Sequence, residues 1–152
     1  MSFILRSRTA TAALLLVLAC GSAAAADAQA EANRKVVLDF YEKGLNQKDA
    51  DAAIALMGNR YVQHNPNAAD GPEGFRKFIG FLKEKFPNSR SEIKRSFVDG
   101  DYVILHVHAV REPGTRGTAI VDIFKLEGGK IVEHWDVAQP IPENPANNNG
   151  MF

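Results

Sequence analysis

Between Asp101 and Val137 the chain reads as three consecutive β-strands, DYVILHVHAV followed by GTAIVDIFKLEGGKIVEHWDV, and these carry nearly all of its candidate chemistry. Alternating apolar and polar residues mark half-buried strands, and short turns between them require antiparallel neighbours. Successive strand side chains point to opposite faces. In the first strand Val103, Leu105, Val107 and Ala109 therefore share one face, while Tyr102, Ile104, His106 and His108 share the other.

The next two strands meet at Glu127-Gly128-Gly129-Lys130, and the length of that loop sets which polar groups converge. A three-residue loop, with Gly129 left-handed in a G1 bulge, pairs Leu126 with Lys130 and puts Asp122 opposite His134 and Ile120 opposite Asp136. A two-residue loop would put Asp122 opposite Trp135 and Phe124 opposite Glu133. Glycine at the third position favours the longer loop. On that register Asp122, His134 and Asp136 share a face with Phe124 and Val132, and the other face carries Val121, Ile123, Ile131 and Trp135.

The chain begins differently. Arg6 and Arg8 precede the apolar run Ala12 to Ala19 and the small residues Gly21 to Ala26, the layout of a secretory signal peptide over 1–26 and too short to span a bilayer comfortably. Two cleavage readings stand: an Ala-x-Ala cut after Ala26, or a lipoprotein cut before Cys20 in Val17-Leu18-Ala19-Cys20. The expected location is periplasmic or secreted, with no membrane contact except the lipid that the second cut would place on Cys20. The whole chain has 18 basic and 18 acidic residues, so losing Arg6 and Arg8 leaves a net charge of about −2. That balance excludes a charge-driven nucleic-acid partner. The roughly 125 remaining residues suffice for one domain without disulfides.

Ala30 to Asn46 has Val36, Val37, Phe40, Tyr41 and Leu45 at helical spacing. Asp49 or Asp51 can cap a second helix carrying Ala53, Ile54 and Met57, with Gly58 at its end. Arg60 to Pro66 reads as a short extended piece. Gly71-Pro72-Glu73 opens a third helix that Pro87 stops, and Ser91 to Asp99 reads as a further strand. Helices followed by a run of strands predict an α+β fold with helices packed on one face of a curved, mostly antiparallel sheet, leaving a cone in which a small ligand can bind.

The run YVQHNP, the helix GFRKFIGFLKEKFP, the strand YVILHVHAV, the hairpin VDIFKLEGGKIVEHWDV and the tail QPIPENPANNNGMF together resemble the SnoaL-like polyketide cyclase branch of the nuclear transport factor 2-like (NTF2-like) superfamily. The resemblance covers the chain from about Glu31 to Phe152. It implies an NTF2-like cone over 27–138, an irregular tail over 139–152, and a homodimer formed through the outer sheet face, with Val103, Leu105, Val107, Val121, Ile123 and Trp135 as its apolar residues. It also implies acid/base catalysis on a small carbonyl compound, by aldol condensation, cyclisation or isomerisation, without cofactor or metal. The acid/base aspartate of those cyclases is matched best by Asp136. Comparison with ketosteroid isomerase puts Tyr41 at the oxyanion tyrosine and Asp122 at the protonated aspartic acid. The basic aspartate of that enzyme falls near Asn65, which cannot take a proton.

Removing a proton α to a carbonyl requires a base near neutral pKa and donors for the enolate oxygen. The candidates are Asp136 as base, with His106, His108 or Tyr41 as donors to the oxyanion, Asp122 and His134 as further catalytic groups, and His64, Asn65, Tyr41 and Phe124 against the substrate. Three other readings stand beside this one. The carboxylates and imidazoles can form a satisfied buried network, the cone can be a non-catalytic ligand-binding or dimerisation module, and His106-x-His108 with His64, His134 and Asp122 can hold a transition metal. Met151 and Phe152, apolar ends of a polar tail, are expected to dock on the body or a partner subunit.

Overall fold

The structure, a computed structural model, describes residues 9–152, with side chains described from residue 25 onward. The expected signal peptide over 1–26 falls almost wholly, and the lipid reading at Cys20 entirely, on residues whose side chains lie outside those described. Among the described residues no helix is long and apolar enough to cross a membrane.

Helix α1 (Thr9–Tyr41) buries Asn33, Val37, Phe40 and Tyr41, one stripe at spacings of four, three and one. It widens into a π-helical turn over Glu42–Asn46, where Gly44 lies so close to the Phe75 ring that a Cβ would stand 2.8 Å from it. Asp49 then caps α2 (Ala50–Ile54) by accepting from the Ala52 amide at 3.0 Å. This helix is shorter than the sequence suggests, because Met57 and Gly58 open strand β1 (Met57–Gln63) instead. Pairing with the distant β5 outweighs local helix preference there: the Ile131 amide donates to Leu56 O, and Met57 stands beside Ile131.

Helix α3 (Gly71–Lys85) carries Pro72 in its first turn and buries Phe75, Ile79 and Leu82. Strands β2 (Arg90–Asp99), β3 (Tyr102–Val110), β4 (Thr118–Glu127) and β5 (Lys130–Pro140) follow. The sheet order is β1-β5-β4-β3-β2, antiparallel throughout except for the parallel pair β1–β5. The tail therefore leaves the sheet only after Pro140, two residues later than the sequence division implies. Three helices on one face of a curled, mostly antiparallel sheet make the expected α+β cone.

Phe40 links the layers, with its ring centroid 4.9 Å from Phe75 on α3 and 5.7 Å from Phe124 on β4. Val103, Leu105 and Val107 of β3 are wholly buried beneath it. Burying each such large side chain contributes about 1.5–3 kcal/mol, so these three belong to the core and not to an outer contact face.

The β4–β5 turn corrects the favoured register. Glu127 pairs with Lys130, so the loop is only Gly128-Gly129, both at positive φ (57° and 74°) as a type I′ turn requires. The extra residue sits further along, where the pairing shifts between Lys125/Glu133 and Leu126/Ile131 and leaves Val132 bulged. Asp122 then stands opposite Asp136, and Phe124 opposite His134. A one-residue offset, in either place, sends Asp122, His134 and Asp136 to the same face. The bulge also turns Ile131 inward to join Leu126 in the core.

At the other end Phe152 docks on the outer face of the sheet, 5.2 Å from the His106 ring and 4.8 Å from the His108 ring. Neither turn glycine has an atom near where a Cβ would stand, so the cost of substituting one is conformational alone. Gly129→Val should lower stability by about 1–2 kcal/mol, and Gly128→Asn, a favoured type I′ residue, should stay within about 0.5 kcal/mol of the parent. Urea unfolding measures both, and equal losses would contradict the turn assignment.

Candidate active site

The cone encloses a cavity of ≈ 260 Å³ between α1, α3 and the inner faces of β1, β4 and β5. Its walls are mostly apolar, with Phe40, Phe75, Phe78, Leu82 and Phe124 among them, and its polar groups gather at Asp122, His134, Asp136, Tyr41, Tyr61, Gln63 and Asn65.

Asp122 is 4 % exposed. Its Oδ1 lies 2.9 Å from His134 Nε2, and its Oδ2 accepts from the Tyr41 hydroxyl at 3.1 Å. His134 Nδ1 is 2.9 Å from Gln63 Oε1. That Gln63 atom also accepts from the Asn65 amide at 3.0 Å. A backbone N–H can only donate, so the Gln63 atom is the oxygen, and the His134 nitrogen facing it carries a proton. The remaining contact between Nε2 and Oδ1 then needs one further proton, shared by imidazole and carboxyl. His134 and Asp122 thus form a pair with one proton between them, and the His134 ring packs on Phe124 at 4.6 Å.

Asp136, paired opposite Asp122 across the hairpin, is held by Asn65, whose Nδ2 lies 2.7 Å from both carboxylate oxygens. The Asn65 amide is oriented by its own Oδ1, which accepts from the Asn67 backbone N–H at 2.8 Å. Asn65, which the sequence comparison puts near the basic aspartate of ketosteroid isomerase, therefore holds the carboxylate of Asp136.

Tyr61, which the sequence reading did not include, also lines the cavity and is 4 % exposed. Its hydroxyl accepts from Gln63 Nε2 at 3.4 Å, which leaves its own proton for a ligand. Burial first, then the charges of Asp122 and Asp136, push its pKa above the ordinary 10.0. Burial, followed by the charge of Asp122 and the hydrogen bond to it, pushes Tyr41 well above 10.0. Both hydroxyls remain donors at neutral pH.

Three sequence candidates lie elsewhere. His106 pairs opposite Val121 and His108 opposite Ala119, on the face away from Asp122, so neither imidazole reaches the cavity. His108 Nε2 is instead 2.8 Å from Arg116 O. His64 stacks on Trp135 with ring centroids 4.4 Å apart and bonds Glu133 Oε2 at 3.3 Å, also outside the cone. The metal set built on His106-x-His108 is thereby separated from Asp122 and His134 by the sheet itself. Asp122, His134 and Asp136 do offer ligand atoms within 4.8 Å of one another, a set that can hold a divalent metal. The Asp122 and His134 atoms concerned are already joined to each other or to Tyr41 and Gln63.

With this geometry in hand, the sequence profile of the SnoaL-like domain matches residues 37–134, more than half of the chain. The protein belongs to the SnoaL-like family. The fold is shared with a candidate ketosteroid isomerase from Kribbella flavida (TM-score 0.62, 17% identity, 79% of this chain and 87% of that one). It is shared as well with a candidate SnoaL-like polyketide cyclase from Jannaschia sp. (TM-score 0.58, 22% identity, 71% and 85%). A candidate polyketide cyclase from Acidithiobacillus ferrooxidans also superimposes (TM-score 0.59, 14% identity, 70% and 87%). No curated protein matches this SnoaL-like chain.

Side-chain NMR at neutral pH should find His134 protonated at Nδ1, and Gln63→Leu should cost about 1–3 kcal/mol by stranding that buried donor. A His134 with a bare Nδ1 would refute the proton count. The two raised tyrosines give a second test. Their share of stability is complete below the unfolded value near 10 and is lost as pH rises from there toward the folded values. The urea midpoint should therefore fall above about pH 10. The fall should flatten when Tyr41 and Tyr61 are both changed to Phe, and an unchanged slope would count against the buried donors.

Proposed function

We propose that this SnoaL-like protein is a cofactor-free acid/base enzyme acting on a small carbonyl compound, in an aldol, cyclisation or isomerisation type of reaction. One observation carries the reading: Asp136 faces an enclosed cavity, held by a single amide, directly beside a buried histidine–aspartate pair that holds one proton. A non-catalytic binding pocket has no need of a carboxylate and a proton donor aimed at the same void.

In this mechanism Asp136 removes the proton from the carbon next to the carbonyl. The electron pair moves to oxygen, and the enolate oxygen accepts from the Tyr61 hydroxyl, beside the Asp122–His134 pair, whose shared proton stays between Oδ1 and Nε2. The enolate carbon then attacks a second carbonyl of the same ligand, whose oxygen takes the π electrons and then the proton from Asp136, or the enolate takes that proton back at another carbon. Tyr41 and Gln63 act on Asp122 and His134 and do not touch the substrate. The names of the cyclase and isomerase neighbours agree with this reaction class, which is ours for this chain. The same reading includes export by the 1–26 segment and a homodimer through the outer sheet face, where Phe97, Tyr102, Val121 and Val137 are exposed.

The test is deuterium incorporation from heavy water at the carbon next to the carbonyl, followed by NMR over a set of small aryl ketones and keto esters. Asp136→Asn should abolish the protein-dependent exchange while moving Tm by less than about 2 °C. Tyr61→Phe should slow it about a hundredfold. Full exchange in the Asp136→Asn protein would dismiss the assignment, and exchange that appears only after adding a divalent metal would favour the carboxylate–histidine metal reading.

A further inference from the structure

One group in the cavity takes no part in the chemistry above. Arg111 lies one residue past the end of β3, and period two continues the inward series Val103, Leu105, Val107 and Ala109 onto it. Its guanidinium lies over the Phe78 ring at 5.4 Å and near the Phe86 ring at 6.0 Å, and it lines the cavity while remaining open to solvent at the rim. Among the described residues it forms no ion pair with a carboxylate. Its positive charge is felt at the Tyr41 hydroxyl within the cavity and at one of two further cations nearby.

Those cations are Arg90 and Lys48. Arg90 pairs opposite Val110 and lines the same end of the cavity. Lys48 is buried behind the cavity-lining Ser89, with its Nζ 3.0 Å from Ser89 O and 3.4 Å from Asn46 O, so neutral carbonyls hold it in place of an acid. Burial, then Arg90 and Arg111, pull its pKa down from 10.5, as like charges crowded without a counter-ion do. Arg111 and Arg90 line one end of the cavity, with Lys48 behind them, and the other end holds Asp122, His134 and Asp136.

An arginine flanked by two phenyl rings, and without an ion-pair partner among the described residues, can take a planar anion in two parallel hydrogen bonds. Asp122 pairs opposite Leu105 on β3, six residues before Arg111, which is roughly 20 Å of extended strand before curvature and the arginine's own length are subtracted. A ligand that reaches both ends must carry its anion several bonds away from its reacting carbonyl. We propose that the substrate of this site is a keto acid, whose carboxylate sits on Arg111 at the cavity rim, with Arg90 and Lys48 supplying further positive field, while its carbonyl reaches Asp136 and Tyr61. This rests on the acid/base reading for the carbonyl end only. The carboxylate end stands on the cation cluster alone.

The test compares three ω-benzoyl alkanoates, the propionate, the butyrate and the valerate, with their methyl esters, by titration calorimetry at low salt and again at high salt. The wild-type protein should bind at least one acid about tenfold more tightly than its ester, and added salt should shrink that preference. Arg111→Gln should weaken the acids about tenfold while leaving the esters within about twofold, and Arg111→Lys should retain part of the preference. Acid and ester bound equally well by the wild type, binding of neither at any chain length, or an Arg111→Gln protein that keeps the full preference would each overturn the proposal. Deuterium exchange of the bound acids separates the two claims. A preference for the acid without exchange leaves the anion site standing and sinks the acid/base reading, and exchange without a preference does the reverse. Asp136→Asn should lose exchange and keep the preference.

Discussion

A carboxyl group under the middle of a sheet is the constraint to which the rest of this molecule conforms. Asp122 cannot be buried beside Phe124 and Leu105 without partners for both of its oxygens, because an unpaired polar group there costs about 1–3 kcal/mol, and a charged one more. The partners come from three separate elements. Tyr41 arrives from the end of α1, His134 from β5, and Gln63, which fixes the His134 proton, from β1. Satisfying one side chain therefore fixes α1 against the sheet and holds β1 beside β5, the only parallel pair among the described strands. The cavity is what remains when α3 closes over that arrangement and buries Phe75, Ile79 and Leu82 against α1 and the sheet.

Much of this was legible from alternation. Period two in VDIFKL and VEHWDV gathers Asp122, His134 and Asp136 on one face, and either loop geometry that supplies a single extra residue keeps them there. The position of that residue was not legible, since a G1 bulge in the turn and a bulge at Val132 have the same net effect on parity. Nor does alternation say which face of β3 joins the Asp122 face. That depends on the β3–β4 pairing, which puts Leu105 and not His106 opposite Asp122. One signal was available and missed. Alternation through Tyr61, Gln63 and Asn65 puts all three on one side and Val62 and His64 on the other, so His64 and Asn65 were never able to share a site along a straight strand. Arg111 gave the same signal as the next member of the odd-numbered series in β3.

The outer face accounts for the imidazoles that the site does not use. His64 lies flat on Trp135, and Tyr102 approaches the same indole at 6.3 Å. Glu133 receives Lys125 at 3.3 Å and Arg60 at 3.6 Å as well as His64. The first cause of its lowered pKa is the His64 hydrogen bond. Phe152 lies against His106 and His108 with Lys94 5.5 Å from its ring, so it covers part of that face. Histidines in a strand are thus sorted by parity into those that can meet a ligand and those that pack. In this chain only His134 falls in the first group.

The two ends of the cavity act on different quantities, and magnitude decides which. In the proposed reaction a unit charge on the order of 10 Å away, at an effective dielectric near 20, would contribute about 1–2 kcal/mol to a developing enolate. A preorganised donor at hydrogen-bond distance, such as the Tyr61 hydroxyl, contributes about 3–4 kcal/mol. The cations at the rim therefore add little to the rate by their field alone. On the keto-acid proposal their effect is on which molecules enter and how they lie, because a carboxylate seated on Arg111 would fix the far end of the ligand and present its carbonyl to the polar end in one orientation. Holding that orientation would be worth more to Asp136, as the proposed base, than the rim's charge, since a carboxylate gripped by one amide has no means of its own to select which α-carbon it meets.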